Sequence, residues 1–390
     1  MVSTLGSFMR NTVTGWQIYE LTDSALAVGL LGFISAIPMI VFSLVGGAVA
    51  DSMDRRRLIM VAQASSLCMT VMLAALTGLG VIQPWMIYVL VFFAGVATSF
   101  DAPARQSMAP SLVPPTHINN AVTLILTIRH LGLMVGPMVG GFVIAWWGVS
   151  VAYWINVCTY SALIGALLAM RLPSAKGRSR PRVKPSMLLE GLQFMWSVPV
   201  IITVFVIDFF VTFFGVTRGL FPVFARDIFE AGPQGLGFLA ASPAVGGMFG
   251  VVVALAMGDV RRKGVGIILC TLGFGLAIGA FAVAPTLLLA CVGLAAYGFV
   301  DSLGDTMRNT LLQTETPDEL RGRVNSVANM LGFGGPQIGQ LWIGFLATVI
   351  GARESVIVGA VAIVLLAAAL ALFARPLARY TTARMTAQVA

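Results

Sequence analysis

The sequence predicts an all-α polytopic membrane protein, with about twelve transmembrane helices in two pseudo-symmetric six-helix halves, and three observations carry the prediction. First, 58% of residues are hydrophobic and only 10% charged, giving a mean hydropathy of +0.92. A soluble core cannot absorb that much apolar surface, whereas a bilayer can. Second, apolar runs long enough to cross recur along the chain, each near the roughly 20 residues that a hydrocarbon layer about 30 Å thick requires. Third, the order of segments repeats at an offset of roughly 200 residues, the duplication expected of parallel halves related by an axis along the membrane normal.

Polar, Pro or Gly punctuation bounds each run. Val2–Leu21 is weakly apolar and starts at Met1 without a lead-in, so the first helix is expected to be incomplete as given. Ala25–Ala50, Leu58–Gly80, Pro84–Phe100, Asn120–Trp147 and Val151–Met170 complete the first half, 1–172. Arg171–Pro185 is basic and contains Pro and Gly, which excludes a span. Ser186–Trp196 carries Leu188, Leu189, Leu192 and Met195 on one side and predicts a short interfacial amphipathic helix. Together they form the linker 173–198. The second half, 199–390, holds Pro199–Phe224, Gly235–Met257, Gly264–Ala284, Thr286–Leu303, Val324–Ile350 and Ser355–Phe373, then a short tail.

The net charge of +8 and pI near 9.8 would suggest nucleic acid in a soluble protein. Here the basic residues fall in alternate loops: Arg55–Arg57, Arg171–Lys184, Arg261–Lys263, and Arg321 with Arg323. The intervening loops near Gly80–Gln83, Trp146–Val151 and Ala284–Thr286 have none. This positive-inside asymmetry places the basic loops and the C-terminus in the cytoplasm and removes the case for a nucleic-acid partner. Cys68, Cys158, Cys270 and Cys291 lie in apolar runs without metal-ligand spacing, and are read as small buried hydrophobes. No cleavable signal-peptide pattern is evident.

Several motifs recur between the halves. Asp51–Leu58 is echoed by Asp259–Gly264, Arg105 and Pro114 by Arg308 and Pro317, and Gly136-Pro137-x-x-Gly140 by Gly335-Pro336-x-x-Gly339. Gly47-x-x-x-Asp51-x-x-x-Arg55-Arg56 resembles the loop between helices 2 and 3 of the major facilitator superfamily, with Ser52 and Asp54 replacing the usual base and glycine. A carboxylate at a helix end can pair with a neighbouring cation and with the positive N-terminus of another helix, and is expected to latch the cytoplasmic face shut. The alternative is a basic loop that only sets topology. Gly132, Gly136, Pro137, Gly140 and Gly141 resemble the antiporter motif of drug-efflux members, which implies export; four-residue glycine spacing also serves ordinary close helix packing. Tyr19–Ala25, Asp101–Gln106, Asn119–Val122, Pro222–Asp227 and Arg321–Val324 resemble the branch containing enterobactin exporters and macrolide-efflux permeases.

Ionisable groups at membrane depth are costly and are functional candidates by default. Asp208 lies about 13 Å along its helix from Pro199 and is the leading proton-site candidate. Arg129 and His130 on the fifth span and Arg10 on the first are further pathway candidates. Arg129 is a possible ligand for an anionic substrate or counter-charge to Asp208, and His130 is able to titrate near neutral pH. For each of these four, a purely structural pair or hydrogen bond is the competing reading. Asp101 with Arg105, and Asp301 and Asp305 with Arg308, sit near helix ends and read as gate latches, as do Arg321 and Arg323. Phe209, Phe210, Phe213, Phe214, Trp16 and Trp342 offer aromatic lining, though most such rings face lipid or neighbouring helices.

The chain lacks the G-x-x-x-x-G-K-[ST] phosphate loop, so an ion gradient is the expected energy source. The resemblance implies a monomeric inner-membrane permease, in contact with membrane lipids, that exports an amphipathic drug, macrolide or siderophore in exchange for protons, with no cofactor and no metal. An importer of the same fold is the first alternative. A membrane-embedded enzyme is disfavoured because His117 and His130 have no nucleophile or metal partner, and a non-transporting sensor because no soluble domain is present.

Overall fold

In the computed structural model the described residues are 2–52, 55–108, 114–169, 193–215, 217–258, 260 and 262–373, and nearly all are helical. The helices are α1 (Val2–Thr22), α2 (Ala25–Ser52), α3 (Arg55–Gly78), α4 (Pro84–Met108) and α5 (Ile118–Ala169), followed by α6 (Pro199–Phe214), α7 (Gly232–Met257), α8 (Lys263–Val283), α9 (Leu287–Glu315), α10 (Asp318–Ile350) and α11 (Ala352–Phe373). Among the described residues nine helical segments have both the length and the hydropathy to span a bilayer. One of the nine, within α5, is 47 residues long and is broken at Gly148 (φ 84°), so it supplies two passes and makes ten. α1 and α10 are also long enough to cross but more polar, so the described helices are consistent with about twelve passes. Large apolar side chains face outward all along, such as Leu255 at 78% and Leu288 at 74% exposed, which is affordable only where lipid replaces water.

Helix and apolar run do not end together. Hydropathy falls where the solvent changes, but a helix stops only where its backbone bonding is interrupted. Hence α4 continues past Phe100 to Met108, α9 past Leu303 to Glu315, and α10 begins at Asp318 rather than at Val324. The run expected to be continuous over Pro199–Phe224 is instead broken. α6 closes on Gly215, whose N–H donates to the Val211 carbonyl, and short turns at 218–220 and 221–223 lead into a five-residue π-helix at Phe224–Ile228. Residues 193–196 of the expected interfacial helix are helical, whereas its remainder, the basic linker before it and the C-terminal tail lie outside the described residues. The cysteines also need correction. Cys68 and Cys158 are exposed and only Cys270 and Cys291 are partly covered, because an apolar run does not distinguish a lipid-facing position from a core one.

The chain divides into two compact units, 1–183 with 221–241, and 184–220 with 242–390. In the first, α1 packs along the first half of α5, α2 along α4, and α3 against α4 and α5. Glycines permit the closest of these approaches: a Cβ at Gly136 would lie 2.9 Å from the Leu5 carbonyl oxygen. In the second unit α6 packs on α10 and α8 on α9 and α11. There Gly335 and Gly339 of α10 meet Thr212 and Phe213 of α6, repeating the contact that Gly136 and Gly140 make with α1.

Candidate functional site

The second unit gathers an ionic cluster around Arg308. Asp305 precedes it at i−3 and Asp301 stands one turn further back, so helical periodicity sets all three along one side of α9. α6 contributes Asp208. The guanidinium Nε lies 3.5 Å from Asp208 Oδ1, and Nη2 lies 3.5 Å from Asp301 Oδ1 and 3.8 Å from Asp305 Oδ1. Arg308 is almost wholly buried and its Nε has no hydrogen-bond acceptor among the described residues, whereas side-chain exposure rises through the acids from 24% at Asp208 to 41% at Asp301 and 61% at Asp305. Asp305 also opens onto a polar cleft of about 540 Å³, lined by Asn309, Gln313 and Arg321 among others. One cation thus faces three acids at the inner end of a polar path. Beside it on α6, Phe209 stacks on Phe213 at 5.7 Å, and Phe213 on Trp342 at 6.1 Å.

The sequence assigned Asp208 to proton binding and Asp301, Asp305 and Arg308 to gating; the fold puts all four in one cluster. The cation at ion-pair distance from Asp208 is Arg308, not the Arg129 offered as a counter-charge.

In the first unit the corresponding charges are local. Arg105 Nε donates to Asp101 Oδ2 at 2.6 Å within α4, a one-to-one pair at i, i+4, and Asp101 Oδ1 is buried without a donor among the described residues. Arg56 reaches the last carbonyls of the helix after Gly148, donating to Leu167 O at 2.8 Å and Leu168 O at 3.3 Å, where a cation complements the helix dipole. Leu58, Ile59, Ala104 and Leu167 pack together beneath it. Gly47 and Asp51 lie in the last turns of α2 and Arg55 opens α3, but their side chains lie outside the described residues. Arg321 Nε donates to Thr316 O at 3.3 Å, and Arg323 is half-buried on α10.

At the opposite end of the first unit lies a cluster to which sequence reading gave no role. Asp23, left-handed at φ 48°, accepts from Arg226 Nη1 at 2.6 Å. The Tyr19 hydroxyl donates to Asp227, and the Arg226 guanidinium lies 5.5 Å from the Tyr19 ring centre. The antiporter-like segment supports the same junction: Gly132, Gly136 and Gly140 face α1, while Gly141 faces Pro233 and Gly237, which returns to the Pro137 carbonyl. These residues had been matched only as family motifs; no periodicity links positions some two hundred apart.

Arg10 sits midway along α1, half-buried, its guanidinium 5.9 Å from the Tyr160 ring centre. Arg129 and His130 are exposed on α5. Neither Arg10 nor Arg129 has a carboxylate at ion-pair distance among the described residues.

A multi-pass helical chain with internally repeated packing has the architecture of many transporters, and solved structures share its fold. A bacterial homologue of the human lysosomal transporter Spinster, in an inward-facing and unoccupied conformation, superposes with a TM-score of 0.76 at 14% identity, over 98% of this chain and 97% of its own. The nucleoside transporter NupG does so with 0.76 at 12% identity, over 97% and 99%. Residues 1–389 match the family model for transmembrane secretion effectors, and the chain belongs to this family of major facilitator transporters. Enterobactin exporters EntS from Shigella boydii serotype 18 and Escherichia coli O139:H28 are 29% and 28% identical to it, each over 85% of this chain and 79% of the relative.

Proposed function

We propose that this chain exports an amphipathic small molecule of siderophore or drug type across the bacterial inner membrane, by alternating access in exchange for protons. Export and substrate type rest on the likeness to EntS, and proton coupling rests on the Arg308 cluster. With all three acids ionised, one guanidinium faces three negative charges, and unbalanced charge at depth is expensive. A proton taken up by Asp208 or Asp301 relieves the imbalance while an ion pair survives. Asp305 and its polar cleft supply the exit toward the face that the basic loops mark as cytoplasmic. Halves 1–172 and 199–390 are the moving bodies, acting within a monomer. Arg56, Asp101–Arg105 and the Asp51 loop latch one face, and the Asp23–Arg226 and Tyr19–Asp227 contacts latch the other.

The test is accumulation of dyes, macrolides and catechol siderophores in an efflux-deficient bacterium expressing the chain, with and without a protonophore. Lowered accumulation that the protonophore reverses is expected. Raised accumulation would make the protein an importer.

A further inference from the structure

The seam between α1 and the helix after Gly148 is polar throughout. Ser7 donates to the Ser3 carbonyl and meets the Tyr160 hydroxyl at 3.2 Å, Thr14 donates to the Arg10 carbonyl at 2.7 Å, and the Tyr153 hydroxyl donates to Gln17 Oε1 at 2.8 Å. Asn156 is completely buried one turn before Tyr160, and its Oδ1 has no donor among the described residues. Every hydroxyl here is matched by a neighbour; the guanidinium of Arg10 is not. Arg10 lies twelve residues, about 18 Å, before the end of α1 at Thr22, roughly half of a span's depth. Its guanidinium carbon lies over the Tyr160 ring, and no carboxylate lies at ion-pair distance from it among the described residues. Next to it Asn11 is exposed at the same depth, and a polar side chain exposed there belongs to a cavity wall rather than a lipid-facing surface. Arg129 is not part of this place. The glycine contacts align Gly140 with Met9 and Val13, and Gly132 with Thr4 and Phe8, which sets Arg129 near the start of α1, far from the level of Arg10.

We infer that Arg10, held by Tyr160, is the contact for the transported molecule, and that this molecule is an organic anion. A guanidinium at mid-span without a carboxylate leaves an electrostatic debt that a carboxylate, phenolate or sulfonate of the substrate settles by charge-assisted hydrogen bonds. The Tyr160 ring, 5.9 Å from the guanidinium carbon, positions the group without neutralising it. Because this rests on the exporter reading, the experiment measures binding rather than transport.

Purified protein in phosphatidylcholine nanodiscs is titrated with fluorescein, an anionic xanthene, and with rhodamine 123, its cationic counterpart, against empty nanodiscs. Wild type is expected to bind fluorescein in preference to rhodamine 123. Arg10→Gln should weaken fluorescein binding about tenfold or more and leave rhodamine 123 unchanged, and Arg10→Lys should recover part of the loss. Circular dichroism melting of each variant separates lost binding from lost fold. Equal fluorescein affinity in wild type and Arg10→Gln would overturn the inference, as would absence of anion preference in the wild type. If anion binding depends on Arg10 but proteoliposomes show no proton-driven export, the coupling proposal fails and the anion site stands.

Discussion

α4 and α9 carry the charges that the internal repeat relates, yet they balance them differently. On α4 Asp101 and Arg105 neutralise each other at 2.6 Å within one helix. On α9 Arg308 is shared among Asp301, Asp305 and Asp208, the last delivered by α6. A balanced local pair has nothing to gain from a proton, whereas a three-to-one cluster does. The two places also differ in the sign of their surplus: Arg10 in the first unit has no acid at ion-pair distance among the described residues, whereas the Arg308 cluster in the second sets three acids against one base. Duplication thus supplies one scaffold, and divergence of a few charges gives the two units different charge balance, the basis of the anion and proton roles proposed above.

The sharpest way to break this contrast is to remove the shared cation. Arg308→Met leaves three acids without a partner and is expected to cost about 3–5 kcal/mol, read as a large fall in melting temperature with loss of export. Retention of wild-type stability would mean that the acids are already neutral. Asp208→Asn comes next: the protein should insert and fold, but export should lose its dependence on the pH gradient. Asp51→Asn should impair alternation without preventing insertion, and unchanged transport would remove the latch role of that loop. For Asp101→Asn the expected loss is about 1 kcal/mol, with the pH dependence of export retained, since its pair is local. Smallest is the Asp23→Asn change at the exposed contact with Arg226, about 0–1 kcal/mol, read as little or no change in melting temperature.

The fold was largely legible because hydropathy, breakers and loop charge are local signals. Asp301, Asp305 and Arg308 could be grouped from helical spacing alone. Asp208 joins them across a sequence distance that no period spans, and Tyr19 with Asp227 is the same case. Where sequence reading went astray, at the continuous helix through Gly215 and at Cys68 and Cys158, it took an apolar run to mean both unbroken backbone and burial. In a bilayer, hydropathy measures neither.

The central claim is that the Arg308 cluster couples protons to export. Its most direct test is proteoliposome transport by wild type and Asp208→Asn of a substrate found in the accumulation screen, with substrate-for-substrate exchange measured beside uphill movement driven by a pH gradient. The account predicts that Asp208→Asn keeps exchange and loses uphill movement. Uphill, gradient-dependent movement at the wild-type rate in that variant would contradict it.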